Sequence, residues 1–211
     1  MNWKLVHKDP ANQPPGNNPS EWKEQIAAEC YHQCVYCSIH EKPWGGIDHY
    51  HIDHFRPKSK AEFEHLICDI CNLFYACPVC NRFKSDDWPG EPSNLDVVCY
   101  PDPSHTNYAD LFEHDVDTFL LRGKYIASKY LISRLYLNRP QLIFERRNEV
   151  LRNRHIEVQA AIRQLLERYD SEGKAPDSSL LQQMLELTME ITDHLHLGES
   201  IRPYKLADIR K

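Results

Sequence analysis

Three cysteine pairs, Cys34/Cys37, Cys68/Cys71 and Cys77/Cys80, and the cluster His51-Ile52-Asp53-His54 are where this 211-residue sequence could do chemistry. A Cys-x-x-Cys turn sets two thiols on one knuckle, and two knuckles complete the tetrahedral set that a structural zinc takes. Cys34-Val35-Tyr36-Cys37 and Cys77-Pro78-Val79-Cys80 look like knuckles, each running into a polar turn or a helix start. Cys68 and Cys71 sit among Leu66, Ile67, Ile70, Leu73 and Phe74, where a thiol behaves as a small buried hydrophobe. The outer pairs are therefore the expected zinc ligands and the middle pair is expected in the core. Redox chemistry or plain burial is the alternative for all six, and Cys30 and Cys99 read as structural.

A carboxylate beside an imidazole suits hydrolysis: the acid can bind a hard cation while the imidazole takes a proton from water. If His51–His54 is a strand, His51 and Asp53 share one face and His54 takes the other. Twelve histidines in the chain make a chance cluster a real alternative. Asn81-Arg82-Phe83-Lys84 follows the last knuckle. Asn81 is expected at a helix start, either capping it or offering its amide oxygen to the same cation. Arg82 and Lys84, with Arg56 and Lys58 behind His54, are the candidate phosphate contacts.

These elements need a scaffold. Pro10, Pro14, Pro15 and Pro19 make an irregular lead-in, followed by a short helix from Glu21 toward Cys30 with Ser20 as its cap. Residues 47–55 alternate and carry aromatic and β-branched side chains, so they read as a strand ending before Pro57. Residues 62–76 are apolar and open between helix and strand, and the prolines of 88–105 mark a loop. Beyond that the chain reads as helical. Ile126, Tyr130, Leu131 and Leu135 form one stripe, and Pro140 restarts a helix continued by Phe144, Leu151, Val158, Ile162, Leu165 and Tyr169. Leu180, Met184, Leu187, Ile191 and Leu195 form the last stripe, after a turn at Gly173 and Pro176. The expected organisation is α+β, with a site-bearing domain over 1–105 (core 30–88) and a helical extension over 106–211.

The formal net charge of −6 argues against a nucleic-acid partner until its distribution is considered. Nine Lys or Arg lie between Arg122 and Arg154 against two acids, Glu145 and Glu149. Segregated charge permits a basic groove on an acidic protein. Most of these arginines are expected on a solvated face. The sharper alternative has Arg134, Arg139, Arg146, Arg147, Arg152 and Arg154 lining a phosphate groove or docking an acidic partner. No apolar run approaches the ~20 residues of a membrane span, and the polar N-terminus does not read as a secretory signal. The expectation is a cytoplasmic protein without membrane contact.

The order Cys-x-x-Cys, Ile-Asp-His-Phe-x-Pro-Lys, Asn-Leu, Cys-x-x-Cys-Asn-x-x-Lys over residues 34–86 resembles the HNH endonucleases, the ββα-metal nuclease group. The resemblance implies a ββα-metal module with a four-cysteine structural zinc inside a mainly helical protein. It implies His54 as general base, with Asp53 a ligand of the catalytic cation. Asn72 matches the middle asparagine that fixes the loop carrying the base, and Asn81 stands where many members carry Asn as a metal ligand. His51 sits where some members place a further acid or histidine near the metal. The motif is thus His-Asn-Asn, and so oxygen-rich a site favours magnesium or manganese over zinc. A looser likeness, through His51–Lys58 and Leu137-Asn138-Arg139-Pro140-Gln141-Leu142, is to the PtuB-type HNH nucleases of bacterial anti-phage defence (Septu systems and some retrons). Those proteins act with an ATPase, PtuA. The chain carries no Gly-x-x-x-x-Gly-Lys loop, so ATP control would come from a partner. The implied substrate is DNA, with RNA as an alternative. A non-enzymatic zinc-ribbon module binding nucleic acid or protein is the rival class; a thioredoxin-like redox protein lacks its βαβ setting.

Overall fold

The computed structural model describes residues 2–172 and 178–196. A 3₁₀ turn at Pro10–Asn12 precedes a second, Pro19–Trp22, that runs into helix α1, Lys23–Glu29. Asn18, not Ser20, provides the cap, its side chain accepting from the Ser20 amide at 3.2 Å. Asn18 also donates to Glu21 at 2.9 Å, which leaves Ser20 free to face solvent. The proline-rich lead-in is tied down: Gln13 donates to the Cys68 carbonyl and accepts from the Ile70 amide.

Strand β1, His51–His54, pairs antiparallel with β2, Leu73–Ala76, in the register His51↔Ala76 to His54↔Leu73. The expected 47–55 strand is shorter, because Ile47–His49 is a 3₁₀ turn behind the left-handed Gly45 and Gly46. The ambiguous 62–76 stretch resolves into 3₁₀ turns at Ala61–Leu66 and Ile70–Asn72 and then β2. All four β2 residues are buried, and α1 packs on this strand. Helix α2, Pro78–Lys84, follows with Pro78 at the first position, where its missing N–H costs no hydrogen bond. The order is thus strand, strand, helix, around a core that includes Ile26, Tyr36, Tyr50, Phe55, Phe74 and Trp88.

Residues 88–105 contain no helix or strand, as their prolines predict. A hairpin missed by the periodicity then appears: β3, Phe112–His114, against β4, Leu121–Gly123. Its strands are three residues each, too short for a period-2 signal. Helix α3, Ile126–Arg134, packs on β4, and Asn138 makes a two-way bond with the Leu121 backbone (2.8 and 2.9 Å).

Two compact units result, Met1–Leu142 and Ile143–Lys211. The first extends past the expected 105/106 boundary, because the hairpin and α3 belong to it. Helix α4, Pro140–Glu172, starts at its end and supplies most of the second unit, together with α5, Ser178–His196. Both helices lie where the apolar stripes predict them, while the turn at Gly173 and Pro176 falls outside the described residues. Among the described residues no helix is long and apolar enough to cross a membrane. The architecture is α+β, with two two-stranded sheets and helices among the described residues.

Candidate functional site

Cys34, Cys37, Cys77 and Cys80 are buried, and their four sulfurs lie within 4.8 Å of one another. Cys37 and Cys77 are 3.7 Å apart. Zn–S bonds of about 2.3 Å in a tetrahedron put sulfurs about 3.8 Å apart, so the donor set fits zinc with little contraction. The first knuckle closes through Ser38, whose left-handed backbone (φ 53°) lets its amide reach the Cys34 carbonyl at 2.7 Å. The Val35 amide donates to Tyr75 on β2 at 3.0 Å. In the second knuckle Cys77 caps α2, its sulfur accepting from the Cys80 amide at 3.4 Å. These four cysteines can hold a structural metal such as zinc. Cys68 and Cys71 lie at the edge of the core, half-buried, and Cys68 donates to the Asn17 carbonyl. Cys30 and Cys99 are buried, and burial pushes the Cys30 thiol up to about 11.

β1 and α2 share a cleft of about 730 Å³ whose lining includes His51, Asp53, His54, Lys58, Asn81 and Arg82. His54 is half-buried, and its Nε2 lies 3.1 Å from the Ile67 carbonyl. A carbonyl only accepts, so Nε2 carries the proton and Nδ1 keeps its lone pair. Burial lowers the His54 pKa against the opposing pull of that carbonyl, so the ring is neutral near pH 7. A neutral imidazole with one fixed N–H is the form a general base requires.

The His54 loop is held by Asn72, which is 2% exposed. Its Oδ1 accepts from the Arg56 amide at 2.8 Å, and its Nδ2 donates to the Arg56 and Leu66 carbonyls, each at 3.2 Å. One carboxamide thus pins both ends of the segment between strand and 3₁₀ turn.

Asp53 turns inward and is only 4% exposed. Tyr36 donates to its Oδ2 at 2.6 Å, and the Lys84 ammonium lies 3.2 Å from Oδ1 and 3.1 Å from Oδ2. Lys84 also donates to the His54 carbonyl at 2.8 Å. Burial raises the Asp53 pKa, with Lys84 and Tyr36 pulling the other way. Lys84 is fully buried, so it is a cross-link from α2 to β1 and not a phosphate contact. Asn81 is the fourth residue of α2, one turn beyond the Cys77 cap, which removes its reading as an N-cap. Its side chain lines the cleft and has no hydrogen bond among the described residues. His51 is exposed at the strand's start. Among the described residues the four cysteines are the one group of three or more His, Cys, Asp or Glu at metal spacing, so the cleft holds no preassembled acid cluster.

The other basic residues divide. Lys58 and Arg82 are exposed on the cleft wall. Arg56 points elsewhere: it forms a two-pronged pair with Glu91 (2.8 and 2.7 Å) above the Phe55 and Trp88 rings. Lys23, at the start of α1, lines the cleft too and was not legible as a site residue. Nor was Tyr36, a spacer residue inside a knuckle. Of the arginines considered for a groove, Arg134 pairs with Asp87 at 3.1 Å, and Arg139 and Arg146 are buried at 1% and 2%. Arg139 and Arg146 are thus committed inside the fold, while Arg134 is partly exposed and taken up by Asp87; Arg152 and Arg154 are exposed, and Arg154 pairs with Glu157.

Compared with known protein families, with curated proteins and with solved structures, the chain matches none.

Proposed function

We propose that the chain is a metal-dependent nuclease of the HNH type that hydrolyses phosphodiester bonds in DNA. His54 carries the reading. Its Nε2 is tied to the Ile67 carbonyl, its Nδ1 is free, and it stands in one cleft with Asp53, Asn81, Lys58 and Arg82. A satisfied structural histidine needs no such company.

In this reading His54 accepts a proton from the attacking water, and Asn72 keeps the ring's segment from drifting. Lys58, Arg82 and Lys23 bind phosphates on either side, which makes binding salt-dependent and indifferent to sequence. Asp53, Asn81 and His51 would hold a magnesium or manganese ion, which when bound stabilises charge on the phosphate and leaving oxygens. Because Lys84 engages both oxygens of Asp53, it has to yield one of them to such an ion. The zinc cysteines take no part in the chemistry and position β1 against α2. The PtuB-like motifs further suggest an effector of bacterial anti-phage defence working with a PtuA-like ATPase.

A second reading, a zinc-ribbon module without catalysis, is favoured by one observation: Asp53 is already neutralised by Lys84. Plasmid cleavage separates the two. Purified wild type and His54→Ala are compared with magnesium, manganese or EDTA, alone and with the candidate ATPase. The nuclease reading expects metal-dependent cutting that His54→Ala abolishes. A folded, zinc-loaded protein that cuts neither DNA nor RNA under any condition makes it a binding module, and RNA cleavage alone changes the substrate.

A further inference from the structure

Arg139, the residue just before α4, is 1% exposed, yet no carboxylate pairs with it among the described residues. Its guanidinium instead faces the second knuckle. Nη2 and Nη1 lie 3.6 and 3.8 Å from the Cys80 sulfur, and Nη2 lies 4.0 Å from the Cys77 sulfur. Nη1 also reaches the Leu135 carbonyl at 3.1 Å and the Tyr136 carbonyl at 3.4 Å, while Nε has no partner. A buried guanidinium needs an anion, because carbonyls alone do not repay its lost hydration. Neutral thiols supply none. Four thiolates around a dication do, since they carry more negative charge than the dication cancels.

We propose that Arg139 is the charge partner of a tetrathiolate zinc centre, and that this pairing holds the α3–α4 link, residues 135–139, against the second knuckle. The fork geometry explains the choice of arginine, since two donors spread over Cys77 and Cys80 while a third bond closes the link on itself. The inference rests on the four cysteines and not on the nuclease reading, so either can fail alone.

The test measures zinc affinity of the full chain by competition with a chromophoric chelator, for wild type, Arg139→Gln and Arg139→Lys. Arg139→Gln is expected to weaken zinc binding about 10–100-fold, as loss of an outer partner of a metal ligand does, and Arg139→Lys to recover part of that loss. Unchanged affinity in Arg139→Gln overturns the proposal, and so does a lysine variant no better than glutamine, which would make the role one of shape. If Arg139→Gln does not fold, cobalt-substituted wild type and Arg139→Lys decide. The sulfur-to-cobalt charge-transfer band shifts if the guanidinium bonds the thiolates, and an unshifted band rejects the pairing.

Discussion

Replacing Lys84 with methionine isolates the buried charge pair beneath the cleft. Lys84 is 0% and Asp53 4% exposed, so solvent screens the pair little. Removing one partner of such a pair costs about 3–5 kcal/mol, because the remaining charge stays buried. The His54 carbonyl loses its ammonium donor as well. At a urea slope of about 2 kcal/mol per molar, the unfolding midpoint falls by about 1.5–2.5 M. The pH dependence gives a second check. Asp53 has a raised pKa in the folded chain, so its protonated form is the stabilising one, and stability is lost as pH rises through the folded value. Lys84 opposes that rise, so without it the folded value climbs further. The gap between wild type and Lys84→Met should therefore be widest where Asp53 is ionised in both chains, and shrink as pH falls and Asp53 of the variant takes up a proton first. Asp53→Asn in the Lys84→Met background should cost less than the two single changes summed. Urea unfolding across the acid-to-neutral range is the assay. A loss under about 1 kcal/mol at neutral pH, or a loss that does not shrink as pH falls, would refute the claim that a buried pair is being broken.

Other outcomes follow from the same geometry. His54→Ala should lower metal-dependent cleavage about 100-fold or more while leaving the thermal midpoint nearly unmoved, as initial rates and calorimetry will report. Since burial lowers the His54 pKa, the wild-type rate should rise with pH through an inflection below the ordinary histidine value; an inflection above neutrality speaks against His54 as base. Asn72→Ala leaves the Arg56 amide and carbonyl without their partner, so a loss of about 1–3 kcal/mol is expected, with faster hydrogen exchange over residues 56–66. Cys80→Ser should abolish stoichiometric zinc and the near-ultraviolet circular dichroism of the tyrosine-rich core; retention of both would remove the metal from the account.

Legibility in the sequence followed how local each signal is. The two outer knuckles were legible because a Cys-x-x-Cys turn is a local object and four thiols need a common purpose. The long helices α4 and α5 were legible from the spacing of their apolar residues. The hairpin Phe112–Gly123 was not, since six paired residues carry no detectable period. Charge was read least well. Lys84, Arg56, Arg134 and Arg139 all look like free cations in a string of letters. Each is committed to a partner distant in sequence: Asp53, Glu91, Asp87 and the thiol pair of Cys77 and Cys80. Nothing local announces such a pairing, because it is made when β1, α2 and the α3–α4 link meet.

The cysteine cluster therefore does more than close a loop. Each knuckle is tied to one half of the cleft, the first by hydrogen bonds and the second by chain continuity. Tyr36, inside the first, donates to Asp53, and its neighbour Val35 is bonded to β2. Cys77, in the second, caps the helix that carries Asn81, Arg82 and Lys84. A metal that fixes the sulfurs fixes Asp53 and Asn81 relative to each other, although neither touches it. Loss of the metal should then loosen both halves together, and a change at one knuckle should be felt at the other. Hydrogen exchange at residues 51–54 and 78–84 after zinc removal measures this coupling directly. Loosening of α2 alone, with β1 still protected, would mean that the β1–β2 pair stands without the clamp and that the two halves are positioned by the core.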